Sequence, residues 1–393
     1  MKFPEFSELY LKTRLQPGLV SIYSNRVIQQ IAAGLIGFFT PIFLFNYFNE
    51  SIQKVLLFFL ITYGLYGLMV PLGAMLMSKI GLKKSMIIGS LFLVSYFVSL
   101  YALSKDVSFA LFSTILTVTL FRFFYWIPYH TEFAESSDKS FRGKEVALLI
   151  SVSALVSIFL PFLAGVVIDR FSFSILFLIS VTISSISIIP ILLLKPVKEK
   201  YNYSYLQTFK ELFSKKNRKQ LLAYTGQGAE VVIGFVIWPI FIFQLLNNNY
   251  IFVGVISSLV VLVSILLRLL IGDLSDKQDK RRIIKAGSIF HAIGWIGKVF
   301  IQTGFQIFAV GTYHAFTSVI MKTPFTTLMY EQAADRGHYV DEYTVLREMA
   351  AMIGRVLMLI LVFILLSFVS LNFVFVLAAI ATLLFSILWS AYV

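Results

Sequence analysis

Long, continuously apolar runs constrain this chain more than any other feature. Each is about 20 residues, the length a helix needs to cross a hydrocarbon core of about 30 Å at 1.5 Å per residue. Twelve can be read, near 24–48, 52–72, 84–104, 108–128, 145–168, 172–194, 220–246, 250–271, 283–303, 305–326, 344–369 and 371–391. Strands of a membrane barrel would alternate over about ten residues, so the expectation is an all-α integral membrane protein with twelve transmembrane helices. Composition supports this. Of 393 residues, 58% are hydrophobic and only 13% charged, against about 25% charged in a typical globular domain. With no Cys, disulfides, thiolate metal sites and Cys nucleophiles are excluded. The first twenty residues hold no apolar signal core, and no removable signal peptide is expected.

Lys and Arg outnumber Asp and Glu by 33 to 20, a net charge of +13. The placement of that charge decides its meaning. Lys79, Lys83 and Lys84 follow span 2, Lys139, Arg142 and Lys144 follow span 4, and Lys277, Lys280, Arg281, Arg282 and Lys285 follow span 8. Segment 195–219 carries eight more basic residues, whereas the loops on the other side hold only Lys54, Lys105 and Arg170. By the positive-inside rule both termini and the even-to-odd loops are expected in the cytoplasm. The basic surplus is then a topology signal with anionic lipid headgroups as partner, and nucleic acid is not expected.

Segment 195–219 is the long polar stretch in mid-chain. It divides the spans into residues 1–194 and 220–393, six helices each, joined by a basic linker. The two parts repeat each other. Pro41-Ile42-Phe43-Leu44-Phe45 matches Pro239-Ile240-Phe241-Ile242-Phe243 at an offset of 198. At that same offset Asn49 meets Asn247, Leu76 meets Leu274, Lys79 meets Lys277, and Lys83-Lys84 meets Arg281-Arg282. Pro128, Thr131 and Glu135 match Pro324, Thr327 and Glu331 at 196. Six is even, so both parts enter the membrane from one side and the repeats are parallel, a design that places a binding site between them near the midplane.

The segment after span 8 reads Gly272-Asp273-Leu274-Ser275-Asp276-Lys277-Gln278-Asp279-Lys280-Arg281-Arg282. It resembles the cytoplasmic signature of the major facilitator superfamily, G-x-L-x-D-R/K-x-G-R/K-R/K, departing from it at Asp279. A weaker copy follows span 2, where Lys79, Gly81, Lys83 and Lys84 are kept and Ser78 replaces the acid. The resemblance implies the major facilitator fold, two parallel-repeat six-helix bundles working by alternating access. It also implies a cytoplasmic gate of Ser78, Lys79, Gly81, Lys83, Gly272, Asp276, Lys277, Arg281 and Arg282, with Asp276 at the start of span 5 and Ser78 at the start of span 11 near Arg347. Pro161-Phe162-Leu163-Ala164-Gly165 is similar to the G-P-x-x-G-G element of drug/proton antiporters, with Leu160 and Ala164 replacing two of its glycines.

An ionisable group at mid-bilayer is costly and normally faces a cavity or a partner. The deep ones are Arg122, Glu230, Lys298, Lys322 and Arg355, with His291 and His314 near the middle of spans 9 and 10. The resemblance implies that spans 1, 4, 7 and 10 line the path. Glu230 and Arg122 are the candidates for proton coupling, since a carboxylate can load and release a proton as access alternates. Substrate-binding candidates are Gln29, Gln30, Tyr125, Trp126, Gln227, Trp238, Tyr313, His314, His291 and Arg355. A structural ion pair of Glu230 with Arg122 or Arg355 is the competing reading. Lys322 and Lys298 are expected to snorkel toward opposite faces.

No zinc helix, nucleophile elbow or phosphate loop is present, and neither metal nor cofactor is expected. The expected function is secondary active transport of a small organic solute across the cytoplasmic membrane by a monomer, coupled to protons. Two variants stand open: an exporter of the drug-antiporter type, and a proton symporter for an anionic or zwitterionic metabolite. A membrane enzyme or receptor on the same scaffold would have to use His130, Glu132 and Glu135, and the repeat match of Glu135 with Glu331 points to structure instead.

Overall fold

The structure is a computed structural model describing residues 17–136, 155–271, 280–335 and 340–387. Among the described residues all regular structure is helical. Span 1 forms two pieces, Pro17–Gly37 and Thr40–Tyr47, broken just before Pro41. Spans 2, 3 and 4 are Ile52–Ile80, Leu82–Leu103 and Ala110–Ser136. The described part of span 5 is Leu160–Arg170, and span 6 is Phe173–Ile186 continued by Ile188–Leu192. The linker contributes a short helix, Tyr205–Leu212. Span 7 runs Arg218–Val232, a π-helical turn Ile233–Ile237, then Trp238–Leu245. Spans 8 to 11 are Tyr250–Ile271, Lys280–Val299, Gly304–Asp335 and Val340–Leu365, and span 12 contains Val374–Leu383.

Eight of these helices are long and apolar enough to cross a bilayer by length and composition. Spans 9 and 10 are not among them: span 9 opens on Lys280, Arg281, Arg282 and Lys285, and span 10 carries Gln306, His314 and Lys322. Spans 2, 4 and 10 run past their expected ends near 72, 128 and 326. Prolines 71, 128 and 324 lie inside these helices rather than ending them. Pro128 cannot donate to the Phe124 carbonyl four residues earlier. The Ser85 hydroxyl of span 3 donates to that carbonyl instead, at 2.9 Å, so the helix continues.

The repeat is visible atom by atom at one turn. Asn49 and Glu50 have φ of 53° and 62°, and Asn247 and Asn248 have 53° and 60°. Left-handed backbone of this kind suits Asn. The Glu50 N–H donates to Phe45 O and the Asn248 N–H to Phe243 O, both pairs being offset by 198. The Ser51 hydroxyl caps the start of span 2 through Lys54 N, and Asn249 Oδ1 caps the start of span 8 through Phe252 N, as N-cap residues do.

Spans 1–6 and 7–12 meet on both sides of the layer. On the face bearing Asn49 and Asn247, Asn46 Nδ2 donates to Tyr250 OH at 2.8 Å. Spans 5 and 8 cross there on glycine. A Cβ on Gly254 would collide with the Pro161 carbonyl, and one on Gly165 with the Tyr250 carbonyl. The Pro161–Gly165 stretch is thus a close-packing surface between the two halves. Toward the linker face, Gly67 of span 2 lies against Met352 of span 11. Asn202 of the linker donates to Glu342 Oε1 through its backbone N–H at 2.8 Å and its amide at 3.0 Å.

Candidate functional site

Glu230 sits mid-way along span 7, just before the π turn. Gly226 and Gly228 lie on the same span where backbone of spans 12 and 11 comes close: a Cβ on Gly228 would collide with the Ala351 carbonyl. This packing leaves Glu230 only 2% exposed. Lys322 of span 10 donates to both its oxygens, at 2.9 Å to Oε2 and 3.1 Å to Oε1. His291 Nε2 of span 9 lies 3.1 Å from Oε1, and His291 Nδ1 lies 3.2 Å from the Thr317 hydroxyl. The His291 ring stacks on His314 at 4.1 Å, and the His314 ring meets Trp295 edge-on at 4.4 Å. Beyond them the Lys298 ammonium, 2% exposed, lies 4.0 Å from the Trp238 ring and 3.9 Å from the Trp295 ring.

Three expectations change here. Glu230 is paired with Lys322 and His291, not with Arg122 or Arg355, because spans 9 and 10 bring their polar faces onto span 7. Lys322 does not snorkel: its four-carbon stem turns inward to the carboxylate. Lys298 does not reach the surface either, since two indole faces hold its charge in place. Donor atoms of Glu230, His291 and His314 all lie within 4.8 Å of one another, a spacing compatible with a metal ion. Both carboxylate oxygens are already engaged by Lys322, however, so the arrangement is a charge network first.

A second cluster forms where span 11 meets spans 2 and 4. The Arg122 guanidinium lies 4.4 Å from the Tyr63 ring centre and that of Arg355 4.9 Å from the same ring. Arg122 Nη1, Arg355 Nε and the Tyr66 hydroxyl are buried with no hydrogen-bond partner. Among the described residues no carboxylate forms an ion pair with either arginine. Arg355 therefore belongs to the junction between halves rather than to an outer wall. Nothing in the residue pattern marks Tyr63, one aromatic among many in span 2.

The other candidates are scattered. Gln29 donates to Ser90 at 3.2 Å and Gln30 to Ser157 at 3.5 Å. Tyr125 is buried and donates to Asn25 Oδ1 at 2.6 Å, while Asn25 in turn donates to the Ser187 carbonyl at 2.7 Å. Trp126 lies under Arg26 at 5.1 Å and stacks on His130. Gln227 is half-buried within a turn of Glu230. Tyr313 points away from the cluster: it is 38% exposed and donates to the Phe290 carbonyl of span 9.

Of the gate residues, Gly272, Asp276 and Lys277 lie outside the described residues. Ser78 donates to the Met75 carbonyl of its own helix at 3.0 Å. Gly81, at φ 88°, ends span 2 against the linker, where Leu82 N donates to Val197 O. Lys83 donates to the Leu192 carbonyl at the end of span 6 at 2.6 Å. This loop thus fastens span 6 and the start of the linker. Lys79 and Arg282 are exposed and Arg281 is half-buried at the start of span 9.

Between spans 1 and 7 lies a cavity of about 310 Å³. Gln30, Ala33, Gly34, Gly37 and Phe38 line one wall and Gly234, Phe235 and Pro239 the other. The π turn places Gly234 and Phe235 there, and such turns mark functional sites.

This architecture, helical repeats joined at a buried, charged midplane, is that of a membrane transporter. A family model described as Major Facilitator Superfamily matches residues 22–340, and the chain belongs to that superfamily. It is a multi-pass membrane protein of a transporter class rather than an enzyme. Among solved structures it is similar to the major facilitator superfamily transporter FucP in the outward conformation, with a TM-score of 0.68 at 13% identity, covering 95% of this chain and 97% of that one. A structure of FucP described as the E. coli fucose:proton symporter gives 0.66 at 12% identity, with 95% and 97% covered. A POT family transporter in complex with 5-aminolevulinic acid gives 0.69 at 9% identity, with 94% of each chain covered. No curated protein matches the chain by sequence.

Proposed function

We propose that this protein is a secondary active transporter that carries a small organic anion across the cytoplasmic membrane together with protons, by alternating access. The observation carrying this reading is the pair Arg122 and Arg355 on Tyr63, one arginine from each half, with no carboxylate beside them among the described residues. Two guanidiniums at mid-depth attract an anion strongly, and bidentate binding of a carboxylate or phosphate satisfies their free N–H groups. An anion bridging the halves favours the state in which they close around it.

Protons enter through Glu230. While Lys322 neutralises it, the cluster needs no proton. Protonation of Glu230 weakens its hold on Lys322 and frees that ammonium, about one-third exposed, to move. Symport is the variant that fits: an anion entering an inside-negative cell must carry compensating positive charge. The antiporter-like element of span 5 supplies no argument for export, since its Pro161 and Gly165 pack on span 8.

In this reading the linker face is cytoplasmic, both termini lie on that side, and its lysines and arginines meet anionic headgroups. Residues 1–194 and 220–393 are the two rocking units, 195–219 their tether, and one copy suffices. The loops after spans 2 and 8, including Ser78, Lys79, Gly81, Lys83, Asp276 and Arg282, control closure on that face.

Proteoliposomes holding the full chain test this. An inward proton gradient is expected to drive accumulation of labelled organic anions, with the internal pH falling as they enter. Accumulation driven only by an outward proton gradient would replace symport by exchange. Accumulation of neutral or cationic solutes alone would remove the anion reading.

A further inference from the structure

The cavity between spans 1 and 7 and the arginine pair are parts of one site. Gly34, Gly234, Tyr63, Arg122 and Arg355 all lie ten to thirteen residues from the ends of their helices on the face bearing Asn49 and Asn247. At 1.5 Å per residue this is one depth, about 15–20 Å into the layer. A chain of ring contacts, its Phe59 and Tyr63 members buried, connects the two. Phe235, which lines the cavity, meets Phe59 edge-on at 5.8 Å; Phe59 stacks on Tyr63 at 6.0 Å; and Tyr63 carries both guanidiniums. Gly37 keeps its part of the cavity open, since a Cβ there would meet only Phe235, at 3.9 Å, and Gln30 is the cavity's polar edge.

We infer that the transported solute is an amphipathic anion, whose acidic group sits on Arg122 and Arg355 and whose apolar body reaches into the glycine-lined cavity beside Phe235. This rests on the anion reading given above. A volume of 310 Å³ accommodates a body of roughly ten non-hydrogen atoms at about 30 Å³ each. The lining disfavours a polyhydroxylated body, because each hydroxyl buried without a partner is penalised. An apolar chain suffers no such penalty and gains with each buried methylene. The combination joins two features that would otherwise point to different cargoes: the cationic pair to a compact metabolite anion, the apolar cavity to a greasy compound.

Straight-chain alkanesulfonates from methane- to hexanesulfonate are the probe, since they stay charged at every working pH. Their binding to the full chain in lipid nanodiscs is measured by titration calorimetry, with empty nanodiscs subtracted for partitioning. Affinity is expected to rise about fourfold per methylene until the cavity is filled. Hexanol is expected to bind at least tenfold more weakly than hexanesulfonate. Gly37→Leu should collapse the hexane-to-methane ratio, since a Cβ there has only Phe235 nearby at 3.9 Å and the longer side chain occupies the cavity. Arg122→Gln should weaken every member alike. If Gly37→Leu does not fold, Gly37→Ala is expected to lower the same ratio at least twofold. Equal affinity along the series, with Arg122→Gln still harmful, overturns this inference and leaves the anion reading standing. Hexanol binding as tightly as hexanesulfonate, with Arg122→Gln harmless, overturns the anion reading itself.

Discussion

Two regions of the molecule bury charge in opposite ways. On span 7, Glu230 is closed off and matched: Lys322 reaches both its oxygens and His291 one of them. At the junction of spans 2, 4 and 11, Arg122 and Arg355 share one phenol ring and leave buried N–H groups without acceptors. A cation–π contact is worth roughly 0.5–2 kcal/mol, less than a buried charge requires. The matched cluster can change only by gaining or losing a proton, or by giving up Lys322. The unmatched one can change by accepting an anion. In the reading proposed above, the coupling ion and the cargo are thereby kept apart: the matched cluster lies within spans 7–10, whereas the arginine pair straddles the two halves.

The largest effects should come from unmatching the matched cluster. Lys322→Met leaves the Glu230 carboxylate buried without its ammonium, and breaking a buried pair this way costs about 3–5 kcal/mol. Glu230→Gln leaves the charge on Lys322 instead, which is about one-third exposed and can rehydrate, so its cost should fall below that range. Denaturation of the two variants in the same detergent gives the order. The double variant should be less destabilised than the single effects added together, because the pair interacts directly. Equal costs for the two single variants would mean that Glu230 is no more dependent on its partner than Lys322 is. Glu230→Gln should also uncouple uptake from the proton gradient in proteoliposomes.

Arg122→Gln and Arg355→Gln come next. Each removes hydrogen bonds to a charged partner worth about 1.5–3 kcal/mol, a loss of roughly ten- to a hundredfold in anion affinity. Neither should destabilise the empty protein as Lys322→Met does, because no buried carboxylate is left behind. Thermal denaturation without ligand and anion titration together separate these outcomes. A large stability loss with unchanged affinity would make the arginines structural and erase the contrast between the two clusters.

The fold was legible because its causes are local. Apolar length set the spans, and the 198-residue repeat reappears as matching φ angles and caps at Asn49 and Asn247. Span 4 runs past its expected end for a reason its own sequence does not carry: the Ser85 hydroxyl that rescues the Phe124 carbonyl comes from a neighbouring helix. The deep charged residues were also legible, as each is an anomaly in its own span. Their partners were not. Nothing in spans 7, 9 and 10 read singly says that Lys322 turns inward to Glu230, since that depends on the rotation of each helix about its axis. Tyr63 was invisible for a similar reason: only tertiary packing distinguishes it from its aromatic neighbours.

Lys298 supplies the smallest effect and the finest discrimination. It too is a cation held by aromatic rings, so by residue type it resembles Arg122 and Arg355. Its surroundings differ. It is 2% exposed between two indoles, whereas both arginines are half-buried. A closed sandwich offers an anion no approach, so Lys298 belongs to the packing of span 9 on span 7. Lys298→Met keeps the apolar stem and removes the charge, losing cation–π attraction of roughly 0.5–2 kcal/mol while removing the desolvation penalty of a buried ammonium. These oppose each other, and the net change in stability should lie within about 1 kcal/mol. Anion affinity should move less than threefold. A loss in anion binding as large as that of Arg122→Gln would place a third cation in the solute's path and extend the unmatched cluster to span 9, ending the division of labour between the two clusters.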